Sequence, residues 1–124
     1  MKVQIQQQAV RVRIGEDELS RLLAGGRVEN RTELPGHITW SQQLALHAQS
    51  LATLSARVGE LHICLPHDQV LALRDRLPSR DGLQFDIECG SSPLTLQFDV
   101  DVRDSVRRRG ALRADARKAA PSSA

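Results

Sequence analysis

Two stretches decide the fold: VRVRIGED, residues 10–17, and LHICLPHD, residues 61–68. Each alternates apolar and polar residues as a strand does, is interrupted by Gly15 or Pro66, and continues into an amphipathic helix with an acidic residue near its start. An offset of 51 residues aligns the apolar positions 10, 12 and 14 with positions 61, 63 and 65. This coincidence of pattern and order predicts an internal repeat.

The segments around these two stretches follow the same order in both halves of the chain. The alternation changes parity near Gln7–Ala9 and again at Gly59-Glu60, which predicts a hairpin before each helix. After each helix, two alternating segments flank a turn, Pro35-Gly36 in the first half and Ser91-Ser92-Pro93 in the second. Each half, about 1–47 and 52–102, therefore reads strand, strand, helix, strand, strand, with an offset of about 55 beyond the helices.

The fold class follows from what one such unit lacks. Four strands and a short helix leave exposed edges and a half-covered apolar face, and a twin unit can cover both. We therefore expect residues 1–102 to form a single α+β domain. Its strands would form either a mainly antiparallel eight-stranded barrel or two packed sheets, with the two short helices at the ends or on a face.

Charge separates the body of the chain from its end. The net charge is +2, but from Arg103 onward seven basic residues stand against Asp104 and Asp115, a net of 7 − 2 = +5. We expect residues 103–124 to be a disordered basic tail. Its arginines, Arg107, Arg108 and Arg109, are the candidates for a weak, sequence-indifferent contact with nucleic acid.

Composition indicates an ordinary globular protein of the cytosol. Hydrophobic residues make up 40% of the chain and charged residues 26%, and no apolar run is long enough to span a membrane. The opening residues alternate and do not form the apolar core of a signal peptide, so the expected compartment is the cytoplasm. In that compartment the two cysteines are expected to be free thiols.

The stretch LHICLPHD also raises the question of a metal or nucleophile site. His62, Cys64 and His67, with Cys89 as a fourth ligand, would be a zinc-binding set. The parity of the strands opposes it: Cys89 is in phase with the core residues Leu83 and Phe85, whereas Cys64 points away from the core. We therefore expect His62 and Cys64 to be surface residues, and we predict neither a metal nor a cofactor.

Other polar residues on predicted strand faces are candidates for ligand binding. If the strands close into a barrel, its polar face could line a cavity for a small ligand or an anion, with a catalytic role left open. The alternative is the wet face of an antiparallel sheet. The residues concerned are Arg11, Arg13, Arg31, Asp86 and Glu88, together with His62 and Cys64 if they reach that cavity.

The opening 29 residues, MKVQIQQQAVRVRIGEDELSRLLAGGRVE, resemble the start of an uncharacterised family of small bacterial proteins with a domain of unknown function. The matching motifs are Val10-Arg11-Val12-Arg13, the Glu-bearing helix and Gly26-Arg27-Val28-Glu29, and ICLPHDQVLAL matches more loosely. The resemblance implies a bacterial cytosolic setting and names no reaction.

The function expected from the sequence is binding without catalysis. No glycine-rich phosphate loop, serine elbow or His-Glu helix motif is present in the 124 residues. With two Phe, one Trp and no Tyr, the chain offers no aromatic platform for nucleic acid bases. A protein partner is expected first, nucleic acid only through the tail, no membrane, and a monomeric or homodimeric state.

Overall fold

The computed structural model describes residues 1–102, so the predicted tail and its arginines lie outside the described residues. Ten elements follow one another in the order that the repeat predicts. They are β1 Lys2–Gln6, β2 Ala9–Gly15, α1 Glu16–Leu23, β3 Val28–Leu34, β4 Ile38–His47, β5 Thr53–Arg57, β6 Glu60–Pro66, α2 His67–Asp75, β7 Leu83–Ile87 and β8 Leu94–Asp101.

The eight strands form two four-stranded sheets, and each sheet takes one hairpin from each half of the chain. The first sheet has the order β1-β2-β8-β7, and the second has the order β3-β4-β6-β5. The outer pairs are antiparallel, whereas the central pairs β2·β8 and β4·β6 are parallel. The α+β class and the two packed sheets are confirmed, and the closed barrel is not formed by residues 1–102, because each sheet ends in unpaired edge strands.

The pairing registers establish the internal repeat strand by strand. Lys2 pairs with Arg13 in the first hairpin and Thr53 with Cys64 in the third, so both strands keep the offset of 51 residues. In the other hairpins, Val28 pairs with Leu44 and Leu83 with Phe98, which gives offsets of 55 and 54. A pseudo-twofold axis therefore exchanges the two sheets, and the longer loop after α2 accounts for the increased offset.

The core lies between the two sheets and is completed by the helices. Alternation places one apolar row of each central strand inside, and α1 and α2 each contribute one buried pair. The α1 helix contacts strands of both sheets, and α2 contacts β6 and β7. The buried apolar residues are Val10, Val12, Ile14, Leu19, Leu22, Val28, Leu44, Leu61, Ile63, Leu65, Val70, Leu73, Leu96, Phe98 and Val100.

The helices end where their sequence requires it. Gly25 follows the end of α1 and has a φ of +93°, a backbone conformation that glycine adopts more readily than other residues. The helix α2 ends at Asp75, because Leu77 precedes Pro78 and the residue before a proline avoids the helical region. Leu77 still packs against the core.

Polar contacts join the edge of one sheet to the edge of the other. The ammonium group of Met1 bonds Glu18 Oε2 at 2.7 Å, and Asn30 Nδ2 donates to the Met1 carbonyl at 2.8 Å and to Gln42 Oε1 at 3.3 Å. Gln42 is a polar residue on the otherwise apolar core-side face of β4, and its side-chain oxygen accepts this hydrogen bond from Asn30. Burial raises the pKa of Glu18, but bonds from the Met1 ammonium and the Gly15 N–H outweigh it and lower the pKa.

Candidate functional site

The polar residues predicted as ligands are divided between the outward faces of two different sheets. Because alternate residues of a strand share a face, the pairing registers assign each of them to one sheet. They therefore do not surround one common cavity. Arg11, Arg13 and Asp86 lie on the outer face of the first sheet, Arg31, His62 and Cys64 lie on the outer face of the second, and Glu88 follows the end of β7.

The LHICLPHD stretch forms a strand, a breaker and a helix start. His62 and Cys64 share the outer face of β6, as the alternation predicts, and His62 Nε2 lies 3.0 Å from Glu60 Oε2. His67 lies elsewhere: it lines a cleft of about 430 Å³ between the end of α1 and the start of α2, where His47 also stands. Among residues 1–102, no three His, Cys, Asp or Glu side chains are grouped to hold a metal ion.

The position of Cys89 corrects the sequence-based expectation. Its phase with Leu83 and Phe85 predicts a core position, but β7 ends at Ile87 and Cys89 is exposed. Cys89 instead belongs to the turn that leads to β8, where its carbonyl accepts a hydrogen bond from the Ser92 N–H at 3.2 Å. Alternation predicts a face only while the strand continues. Both thiols are free, as expected.

The groove on the outer face of the second sheet, called here the second-sheet groove, has a volume of about 440 Å³. Arg31 of β3 pairs with Ser41 of β4, which pairs with Glu60 of β6. The small Ser41 side chain between two long charged ones opens the groove. The lining residues are Glu29, Arg31, Thr39, Ser41, Gln43, Val58, Gly59 and Glu60.

The floor of the groove is tightly packed. Ser41 is only 7% exposed, and its backbone N–H donates to the Gly59 carbonyl at 2.8 Å. Gly59 has a φ of +77°, and a Cβ built there would lie 2.8 Å from the Thr39 carbonyl oxygen. The turn between β5 and β6 is thus pressed against β4, and a glycine is required for this close approach.

Both signs of charge line the groove. Glu29 and Arg31 have neutral neighbours on β4, Gln43 and Ser41. Neither takes part in an ion pair within residues 1–102. Their side chains are exposed and keep their hydrogen-bonding groups available for a ligand of mixed charge.

The first sheet carries a smaller basic cleft of about 220 Å³, lined by Lys2, Gln4, Arg11 and Arg13. Arg11 Nε donates to Asp99 Oδ2 at 2.9 Å, and Asp99 is also the cross-strand neighbour of Arg13. The buried carboxylate of Asp99 therefore offsets part of the positive charge of the cleft.

The carboxylates of Asp86 and Glu88 line a separate shallow hollow of about 310 Å³ beside the turn at residues 89–93. The lining of this hollow contains no basic residue. It shares no residue with the second-sheet groove or with the basic cleft of the first sheet. The predicted acidic candidates thus stand apart from the predicted basic ones.

Sequence reasoning missed most of the groove. Of its lining residues, only Arg31 was a candidate, because single-strand alternation shows that Ser41, Gln43 and Glu60 lie on the side of the strand away from the core but not that they are neighbours. Their proximity depends on the parallel pairing of β4 with β6, two strands separated by a loop and a further strand. No local signal in either strand specifies that partner.

The fold and this surface define an α+β domain of two mixed sheets, related by an internal pseudo-twofold axis, with polar outer faces. The chain belongs to a family of unknown function, DUF7009, which matches residues 1–101. The match therefore extends beyond the first thirty residues and spans both halves of the repeat. A search of curated proteins gives no match. No helix within residues 1–102 is long and apolar enough to cross a membrane.

Proposed function

We propose that the protein is a non-catalytic binding domain of the bacterial cytosol that recognises an extended polar segment of a protein partner in the second-sheet groove. The observation that carries this proposal is the groove itself. It combines a volume of about 440 Å³ with unpaired charges of both signs, Glu29 and Arg31, and a tightly packed floor. Such a surface can bind backbone amides and charged side chains of a peptide together.

The chemistry of the lining favours a peptide over a small organic ligand. Small-molecule sites are mostly apolar and enclosed, with few polar groups. In the groove, Val58 is the only large apolar lining residue, and it stands fully exposed at the rim. An isolated apolar side chain beside a polar floor suits one anchoring contact at a protein interface.

The geometry around Cys64 supports a role without catalysis. Along a strand, residues two apart are separated by roughly 7 Å, which is beyond the reach of a proton transfer from Cys64 to His62. The His62 ring contacts the carboxylate of Glu60, which precedes it in the strand, whereas Cys64 follows it. The barrel cavity that a small-ligand or catalytic role would have used is not formed by the described strands.

The test uses Gln43→Lys, a change at the groove, and short random peptides displayed on phage as the probe. Peptides selected on the full-length wild-type protein are expected to bind Gln43→Lys at least about tenfold more weakly, because the lysine adds bulk and places a positive charge opposite Glu29, where it would occupy that carboxylate. Affinities are measured by isothermal titration calorimetry. Backbone amide shifts on peptide addition should concentrate at β4 and β6.

The matched control is Gln97→Lys, since Gln97 is the pseudo-twofold equivalent of Gln43 on the outer face of the first sheet. Both glutamines are half-buried, so the two variants carry the same chemical change at equivalent positions of the repeat. Gln97→Lys should bind the peptides as wild type does. A selection without binders, or binders that tolerate Gln43→Lys, would show that the groove is not the binding surface.

A further inference from the structure

The edge strand β3 and the residue before it carry charges in strict alternation. Arg27, Glu29, Arg31 and Glu33 follow one another at every second position and lie on the outer face of the second sheet. The three that belong to β3 pair across to β4 with neutral side chains, which are Gln43, Ser41 and Thr39. No residue of this row forms an ion pair within residues 1–102.

The other side of β3 is open. The second sheet ends at this strand, and from Glu29 to Leu34 every side chain except Asn30 is exposed. Among the described residues, no backbone hydrogen bond outside the regular sheet pairing involves β3. Its outward N–H and C=O groups therefore offer a template for one more strand.

We propose that this edge binds a second copy of the chain, with the two β3 strands antiparallel and Asn30 on the twofold axis. In that register Arg27 lies opposite Glu33 of the partner subunit, and Glu29 lies opposite Arg31 of the partner subunit. Twofold symmetry repeats both contacts, so four ion pairs form across the junction. The two second sheets join into one eight-stranded sheet with both grooves on the same face. Each ion pair uses only some of the hydrogen-bonding groups of Glu29 and Arg31, so the remaining ones still line the groove.

The charges select this register over its neighbours. If the strands shift so that Arg31 lies on the axis, Arg31 meets Arg31 of the partner subunit and Glu29 meets Glu33 of the partner subunit. Like charges directly opposite each other destabilise a strand pair, whereas opposite charges stabilise it. Asn30 on the axis is the register in which all four charges are opposed by their complements.

The repeat supplies an internal comparison. The twin of β3 is β7, where the offset of 55 places Gln84, Asp86 and Glu88 at the positions of Glu29, Arg31 and Glu33. This row has no cation, so β7 cannot pair with itself in the same way. The self-complementary pattern belongs to β3 alone of these two equivalent edges.

Exposed apolar residues on the same hairpin also favour a partner. The β3–β4 hairpin continues two residue pairs beyond the last pair of its twin, and its final pair, Leu34 with Ile38, lies on the core-side face. These side chains are 45% and 56% exposed. In the proposed register Leu34 lies opposite Gly26 of the partner subunit, next to the end of the partner's α1, which would cover part of this apolar surface.

The experiment measures the association state of the full chain by sedimentation velocity at low salt, across a concentration series. Wild type should show a concentration-dependent monomer–dimer equilibrium. Arg31→Glu places two acids opposite each other at both central contacts, and Glu29→Arg does the same with two bases. Each variant alone should dimerise at least about tenfold more weakly than wild type.

Mixing the two variants provides the decisive measurement. In a mixed pair, the introduced arginine at position 29 faces the introduced glutamate at position 31, and the native Arg31 faces the native Glu29. An equimolar mixture should therefore recover dimers to within about threefold of the wild-type affinity, detected as heterodimer by native mass spectrometry. Asp86→Lys, a charge reversal at the twin position, should leave the wild-type association unchanged.

Other results would overturn the proposal. If wild type stays monomeric at every concentration, the proposed dimer does not form. If dimers persist in both single variants, the interface lies elsewhere. A mixture that stays monomeric while both variants retain the circular dichroism spectrum of wild type rejects the register. Peptide binding at Gln43 is a separate readout, so either proposal can fail alone.

Discussion

Phe98→Ala is expected to lower the free energy of unfolding by about 3–5 kcal/mol, the cost of deleting a large buried side chain and leaving a cavity. Phe98 is fully buried at the centre of β8, where it pairs with Val12 on one side and with Leu83 on the other. The ring therefore packs at the junction of hairpins from both halves of the chain. Urea unfolding followed by circular dichroism measures the loss.

The repeat sharpens this prediction. Leu44 is the pseudo-twofold equivalent of Phe98 and is also fully buried, so Leu44→Ala should cost about 2–5 kcal/mol, and the two losses should be of the same order. Phe85→Ala, on the edge strand β7 and only partly buried, is the matched control and should cost less than Phe98→Ala. A smaller loss for Phe98→Ala than for Phe85→Ala would contradict the position of the core.

Gly59→Ala is expected to cost about 2–4 kcal/mol. An alanine in the left-handed region loses about 1–2 kcal/mol, and its Cβ would also press on the Thr39 carbonyl oxygen 2.8 Å away. Relief of that contact requires the β5–β6 turn to move away from β4, which weakens the bond from the Ser41 N–H to the Gly59 carbonyl. The loss is measured by urea unfolding.

Gly25→Ala separates the two contributions. Gly25 has a φ of +93°, but a Cβ built there meets no atom within 4 Å, so its substitution should cost only the backbone term of about 1–2 kcal/mol. The difference between the two variants reports the contact with Thr39. Equal losses would mean that the β5–β6 turn is not pressed against β4.

The order of the helices and strands and the internal repeat could be predicted from the sequence. Alternation with a parity switch located the hairpins, and the offset of 51 between VRVRIGED and LHICLPHD holds in the pairing of Lys2 with Arg13 and of Thr53 with Cys64. His62 and Cys64 therefore occupy, in the second half of the chain, the positions that Arg11 and Arg13 occupy in the first half. Both pairs of residues lie on the outer face of a sheet.

Strand partners and strand ends could not be obtained in this way. Alternation determines which side chains share a face, but it does not specify whether the second neighbour of β2, besides β1, is another strand of its own half or β8, because both arrangements bury the same residues. The groove formed by Arg31, Ser41 and Glu60 depends on that choice. The exposed position of Cys89 depends on where β7 ends, which the following turn determines.

The central claim is that each sheet combines hairpins from both halves through a parallel central pair. The most direct test is a nuclear Overhauser spectrum of the labelled protein, read for backbone contacts between central strands. The account predicts contacts of Val12 with its neighbour Phe98, and of Leu44 with Ile63, in the pattern of parallel strands. Contacts that pair β2 with β3 or β4 of its own half would contradict it.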